Sequence, residues 1–98
     1  TWPGDGEVHY LKGEMLRLSR QPDGQTIEAY ARAVSLDGAP PDAWRQLGYL
    51  YRRVGRELEA ADAFAKYLAL VPSAVEAPLL RGFIERTRVT ATPKGAIK

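Results

Sequence analysis

One histidine and no cysteine leave this chain few routes to covalent chemistry. A Ser-His or Cys-His nucleophile pair needs a hydroxyl or thiol held against an imidazole, and a two-histidine zinc site needs a second imidazole. His9 stands alone, and Ser19, Ser35 and Ser73 fall at expected helix ends or turns. Glu57, Glu59 and Asp62 crowd one stretch, but carboxylates repeated on an exposed helix face solvate it. Gly4 to Gly6 lacks the preceding strand that a dinucleotide fold requires. These residues predict no catalytic, cofactor-binding or metal site, and so no enzyme. What the chain does offer is arginine beside tyrosine, with Arg45, Tyr49, Arg52 and Arg53 close together. Both residue types are enriched at binding hot spots, and guanidinium forks grip carboxylates. The chemistry to look for is therefore that of a surface, although the same pattern also fits the solvated face of an amphipathic helix.

Charge and composition narrow the partners. The 98 residues carry 14 Lys+Arg against 12 Asp+Glu, and a net charge of +2 points to solubility more than to a polyanionic ligand. Nucleic-acid binding would rest on Arg45, Arg52 and Arg53 alone and needs a wider basic stripe, so it is not predicted. No apolar run approaches the roughly 20 residues that span a bilayer. The absence of cysteine excludes disulfides and thiolate metal sites but leaves the compartment open between cytoplasm and a bacterial periplasm. The chain opens on Thr1 without a basic-then-apolar leader, which reads as a fragment of something longer.

The elements that must position the arginines are helices. Residues 1–5 form a loose leading segment in which Asp5 is a plausible cap. The spacing predicts a first helix over about 6–19 with Val8, Leu11, Met15 and Leu18 as its apolar stripe. Gln21 to Gly24 form a turn, and Asp23 caps a second helix reaching about residue 37, with Ile27, Tyr30, Ala31 and Val34 inward. A third helix spans about 41–54, with proline favoured at its first position. A fourth runs from about 56 or 57 to 71, with Asp62 and Lys66 as an i,i+4 pair on its outer face. Ser73 and Glu76 spell a capping box that announces a fifth helix tolerant of Pro78 and ending near Arg86 or Thr87. Residues 88–98 read as a flexible tail.

A repeat underlies this order. Trp44, Leu47, Gly48, Tyr51, Ala60, Phe64 and Pro72 spell W-x2-L-G-x2-Y, then A-x3-F, then P, and on these residues the chain resembles a tetratricopeptide repeat. Tyr30 and Phe64, Ala29 and Ala63, and Leu36 and Leu70 are each 34 positions apart, so the first half is a degenerate second copy in which His9 stands for Trp44. Gly13 and Gly48 are 35 apart, which places one extra residue in the Arg20 to Gly24 turn. The resemblance implies an all-α, right-handed α-solenoid: repeats over about 6–38 and 41–74, then a capping helix over about 75–87. The rings of Trp44 and Phe64 are expected to be wedged inside.

In that family the first helix of each pair lines a concave groove. By that likeness the groove residues are Tyr10, Glu14 and Arg17 with Arg45, Tyr49, Arg52 and Arg53, flanked by Glu7 and Asp42, and the ligand is a protein or peptide segment. The family's clamp for acidic chaperone tails is not built, because Tyr10, Glu14 and Gln46 occupy its lysine and asparagine positions. Leu79, Leu80, Phe83 and Ile84 cover more than one side of the fifth helix, so Leu79 and Phe83 are candidates for self-association into a homo-oligomer. The second half is also similar to the carboxy-terminal repeats of larger bacterial multi-domain proteins, including envelope zinc metallopeptidases. That likeness implies an alternative, an accessory domain that positions substrate or partner for an enzyme encoded elsewhere.

Overall fold

The apolar periodicity becomes five helices in the computed structural model, which describes residues 4–91: α1 (Asp5–Leu18), α2 (Asp23–Val34), α3 (Asp42–Arg53), α4 (Glu57–Leu70) and α5 (Ala77–Ala91). No strand occurs among the described residues. None of these helices is long and apolar enough to cross a membrane. Each helix packs on the next in chain order, α1 on α2 and α3 on α4 most extensively, giving dimensions of 53 × 29 × 22 Å.

The same contact builds both hairpins. A β-carbon at Gly13 would lie within 3.1 Å of three atoms of the Tyr30 ring, and one at Gly48 within 2.8 Å of three atoms of the Phe64 ring. Glycine on one helix thus seats an aromatic ring from its partner. Tyr30 and Phe64 are fully buried, each worth about 2 kcal/mol of apolar burial. Gly6 near the start of α1 meets Ala33 and Asp37 at and beyond the end of α2, so the first hairpin is antiparallel.

Both hairpins also turn in the same way. At the end of α1, Arg20 takes φ 57°, with the Gln21 and Arg20 N–H groups donating to Leu16 and Arg17 carbonyls at 3.0 and 3.2 Å. At the end of α3, Gly55 takes φ 86°, with the Arg56 and Gly55 N–H groups donating to Tyr51 and Arg52 carbonyls at 2.8 and 3.1 Å. These are two Schellman turns, one built on the residue that suits it and one on an arginine. Gln21 and Pro22 separate Arg20 from α2, whereas Arg56 alone separates Gly55 from α4. The extra residue of the first copy therefore sits in the expected turn.

Several details differ from expectation. Asp5 and Asp23 do not cap; they are the first helical residues, behind Gly4 and Pro22, where the helix dipole still favours their charge. Gly24 lies inside α2, not in the turn, and α2 stops at Val34. The Ser73 capping box is not used: residues 72–76 pass through turns, and Pro78 falls in the first turn of α5, where no intrahelical bond needs its N–H. α5 runs on to Ala91, and residues 92–98 of the expected tail lie outside the described residues. Asp62 reaches Arg88 on α5 at 3.3 Å and does not pair with Lys66.

The apolar stripe of α1 is the largest departure. Val8, Leu11, Met15 and Leu18 are 49–70 % exposed, because α1 turns its glycines toward α2. Ala43 and Leu50 of α3, each 35 positions after Val8 and Met15, pack into a cluster with Ile27 and Tyr30 of α2 and are almost fully buried. Trp44 is half-buried, bridging that cluster and the one centred on Phe64, with its outer side lining a shallow cleft beside Ala31 and Val34.

Candidate functional site

Side-chain contacts join α1, α3 and the region of α5 along one face. The Tyr10 hydroxyl donates to Asp42 Oδ2 at 2.6 Å, linking α1 to the first turn of α3. Arg45 holds Asp42 from one turn on, at 2.6 Å, and reaches Glu76 ahead of α5 at 3.8 Å. A side chain of α1 thus touches the acid that opens α3, and a side chain of α3 touches the acid just ahead of α5. Farther along, the Arg52 guanidinium lies 4.8 Å above the Phe83 ring of α5. Tyr49, between them, packs edge-on to Phe64 at 5.0 Å.

The α1 end of the face is tied together internally. Arg17 grips Glu14 at 3.0 Å, while the buried Tyr30 extends its hydroxyl to donate to Glu14 and receives the Arg17 Nε–H at 3.3 Å. The hydrogen bond from Arg17 lowers the Glu14 pKa; burial opposes this, and the Tyr30 hydroxyl adds to the lowering. Burial pulls the Asp42 carboxyl upward, but the bonds from Tyr10 and Arg45 outweigh it and leave the group below its ordinary range. Burial, and then the bond to Asp42, raise the Tyr10 hydroxyl. Burial and Glu14 do the same to Tyr30. All of these groups hold their usual charge at neutral pH.

Of the seven residues predicted for the groove, Tyr10, Glu14, Arg17, Arg45, Tyr49 and Arg52 lie along this contact chain. Arg53 does not. It turns back to pair with Asp23 at the start of α2 at 2.7 Å, away from α5. Helical spacing explains the split: adjacent residues are about 100° apart, so Arg52 and Arg53 cannot both face α5. Phe83 is only 6 % exposed, wedged against Phe64 at 5.6 Å and capped by Arg52, so it offers nothing to a second chain. Leu79 is 64 % exposed and remains on the surface. His9 is half-buried and lines a cleft between α1 and α2 with Lys12, Leu16 and Glu28.

Three participants were not singled out from the sequence. Glu76 was read as part of a capping box, and Tyr30 as core alone. Arg86 lines an open cleft of about 510 Å³ with Arg52, Phe83, Thr87, Thr90, Glu57 and Leu58. Its signal was present in the spacing: Arg86 follows Arg52 by 34 positions, so treating α5 as another first-type helix would have found it. Among the described residues, no three His, Asp or Glu side chains gather as a metal site would require. Compared with family models, curated proteins and solved structures, the chain matches none of them.

Proposed function

We propose that this chain is a non-catalytic interaction module of the tetratricopeptide type, which holds a peptide segment of a protein partner across the face made by α1, α3 and α5. One observation carries this reading: the recurrence of a single structural unit. The glycine seat for an aromatic ring, the Schellman turn and a link from a first helix to an acid at or just ahead of the next first helix each occur twice, with corresponding residues 34 or 35 positions apart. A repeat of this kind stacks first helices side by side and leaves their outer edges as an extended surface. On that surface stand aromatic and guanidinium groups, the side chains over-represented where proteins bind.

An array of overlapping peptides probed with the chain, and then with its Arg45→Gln and Tyr49→Phe variants, tests the proposal. These substitutions remove a charge and a hydroxyl while keeping the aliphatic stem and the ring that packs on Phe64. Hits whose retention falls several-fold in both variants support the reading. An array without hits, or hits retained equally by the variants, overturns it.

A further inference from the structure

We infer that the cleft between α3 and α5 is the carboxylate subsite of this face, taking an acidic side chain of a bound peptide between Arg52 and Arg86. The inference rests on the peptide-binding reading and narrows it. Most arginines in or near the face already hold a carboxylate: Arg17 has Glu14, Arg45 has Asp42 and Glu76, Arg53 has Asp23, and Arg56 has Glu59. Arg52 and Arg86 have none among the described residues, yet both line the same cleft. Arg52 is held in place over the Phe83 ring, an arrangement that orients a guanidinium without consuming its hydrogen-bond donors.

The remaining lining supports this assignment. Thr87 adds a hydroxyl, whereas Thr90 spends its own on the Arg86 carbonyl at 2.8 Å. Leu58, 53 % exposed, supplies an apolar wall. Glu57 also lines the cleft, in the first turn of α4, where the helix dipole accounts for a carboxylate without any arginine partner. Two cations against one anion leave room for a single further negative charge. A continuous phosphodiester chain would meet Glu57 and the leucine wall, so a peptide carrying an isolated acid beside apolar residues fits better than a nucleic acid.

Amide chemical-shift mapping with the pentapeptide acetyl-Gly-Leu-Glu-Leu-Gly-amide tests this assignment. Titrated to about 5 mM, the range in which a single charge-assisted subsite binds, it should shift Arg52, Leu58, Arg86 and Thr87. The glutamine counterpart, and the Arg52→Gln/Arg86→Gln variant with the parent peptide, should each bind at least about tenfold more weakly. Equal binding of the two peptides overturns the inference, as do shifts confined to α1 or stronger binding of a uridine hexanucleotide at the same residues. If array hits depend on Arg45 and Tyr49 while the pentapeptide leaves the cleft unshifted, the face keeps its function and the subsite falls.

Discussion

Gly48→Ala adds one methyl group where the Phe64 ring of α4 lies directly against α3. The new carbon would lie within 2.8 Å of three Phe64 ring atoms, the nearest about 1 Å inside ordinary van der Waals contact. Phe64 is fully buried and held edge-on by Tyr49 at 5.0 Å and Phe83 at 5.6 Å, so the ring has no free direction in which to yield. Overpacking of this kind costs about 1–3 kcal/mol, and the trapped ring puts Gly48 at the upper end. Alanine in place of a helical glycine returns about 0.5–1 kcal/mol. The net loss is therefore about 2 kcal/mol, which should lower the urea unfolding midpoint by about 1 M with an unchanged slope. Phe64→Leu in the same background relieves the clash, so the two substitutions together should be milder than their sum by about 1 kcal/mol or more. A Gly48→Ala chain as stable as its parent, or a strictly additive cycle, would refute the glycine seat as the determinant of helix spacing.

The other predictions use the same unfolding measurement. Gly24 lies in α2 with open space where a β-carbon would go, so Gly24→Ala should raise stability by about 0.5–1 kcal/mol; a loss would mean that its backbone is not helical. Arg20 holds the left-handed position that Gly55 fills in the second hairpin, so Arg20→Gly should gain about 0.5 kcal/mol after the entropy cost of glycine, whereas Gly55→Arg should lose stability. Acid should also unfold the chain through Glu14 and Asp42, whose folded pKa values lie below the ordinary range. The unfolded chain takes up their protons first, so stability is complete above the unfolded pKa of about 4 and falls as pH drops through the folded values; Glu14→Gln with Asp42→Asn should flatten that decline. Alkali has the mirror effect through Tyr10 and Tyr30, whose raised pKa values make stability fall as pH rises past about 10.

The helices and their order were legible because apolar spacing, glycine and proline punctuate this chain strongly. Phe64 and Tyr30 were readable as core, since each lies 34 residues from its counterpart and both fall on a helical stripe. The orientation of α1 was not. Val8, Leu11, Met15 and Leu18 form a regular stripe, but periodicity reports only that apolar residues share a face, and α2 instead packs where Gly13 lets the Tyr30 ring come close. Trp44 was expected inside and is partly buried, because its indole packs against two clusters at once and keeps one side on the surface. Local rules also misled at Ser73, where the turns before α5 occupy the residues of the capping box. Arg53 was assigned to the face on family position; its partner Asp23 is 30 residues away, a pairing that only the packing of α2 on α3 creates.

The pattern of satisfied charges decides what kind of peptide the proposed face can hold. Toward α1, Glu14 and Asp42 each have an arginine and the Tyr10 and Tyr30 hydroxyls each have an acceptor, so a ligand there must be recognised through aromatic surface and neutral hydrogen bonds. An added charge would break pairs already made, leaving a partly buried carboxylate or guanidinium without its partner, which costs more than an exposed pair returns. Toward α5 the balance reverses, because Arg52 and Arg86 have no carboxylate partner among the described residues and line a cleft with Leu58. A peptide lying along the three helices would then be read with polarity: an aromatic or neutral end over Tyr10 and Tyr49, and an acid flanked by apolar residues at the Arg52 end. Reversing the order of those residues in an array hit, with composition unchanged, should reduce retention several-fold. Equal retention of the reversed sequence would mean that the two ends of the face are not distinguished.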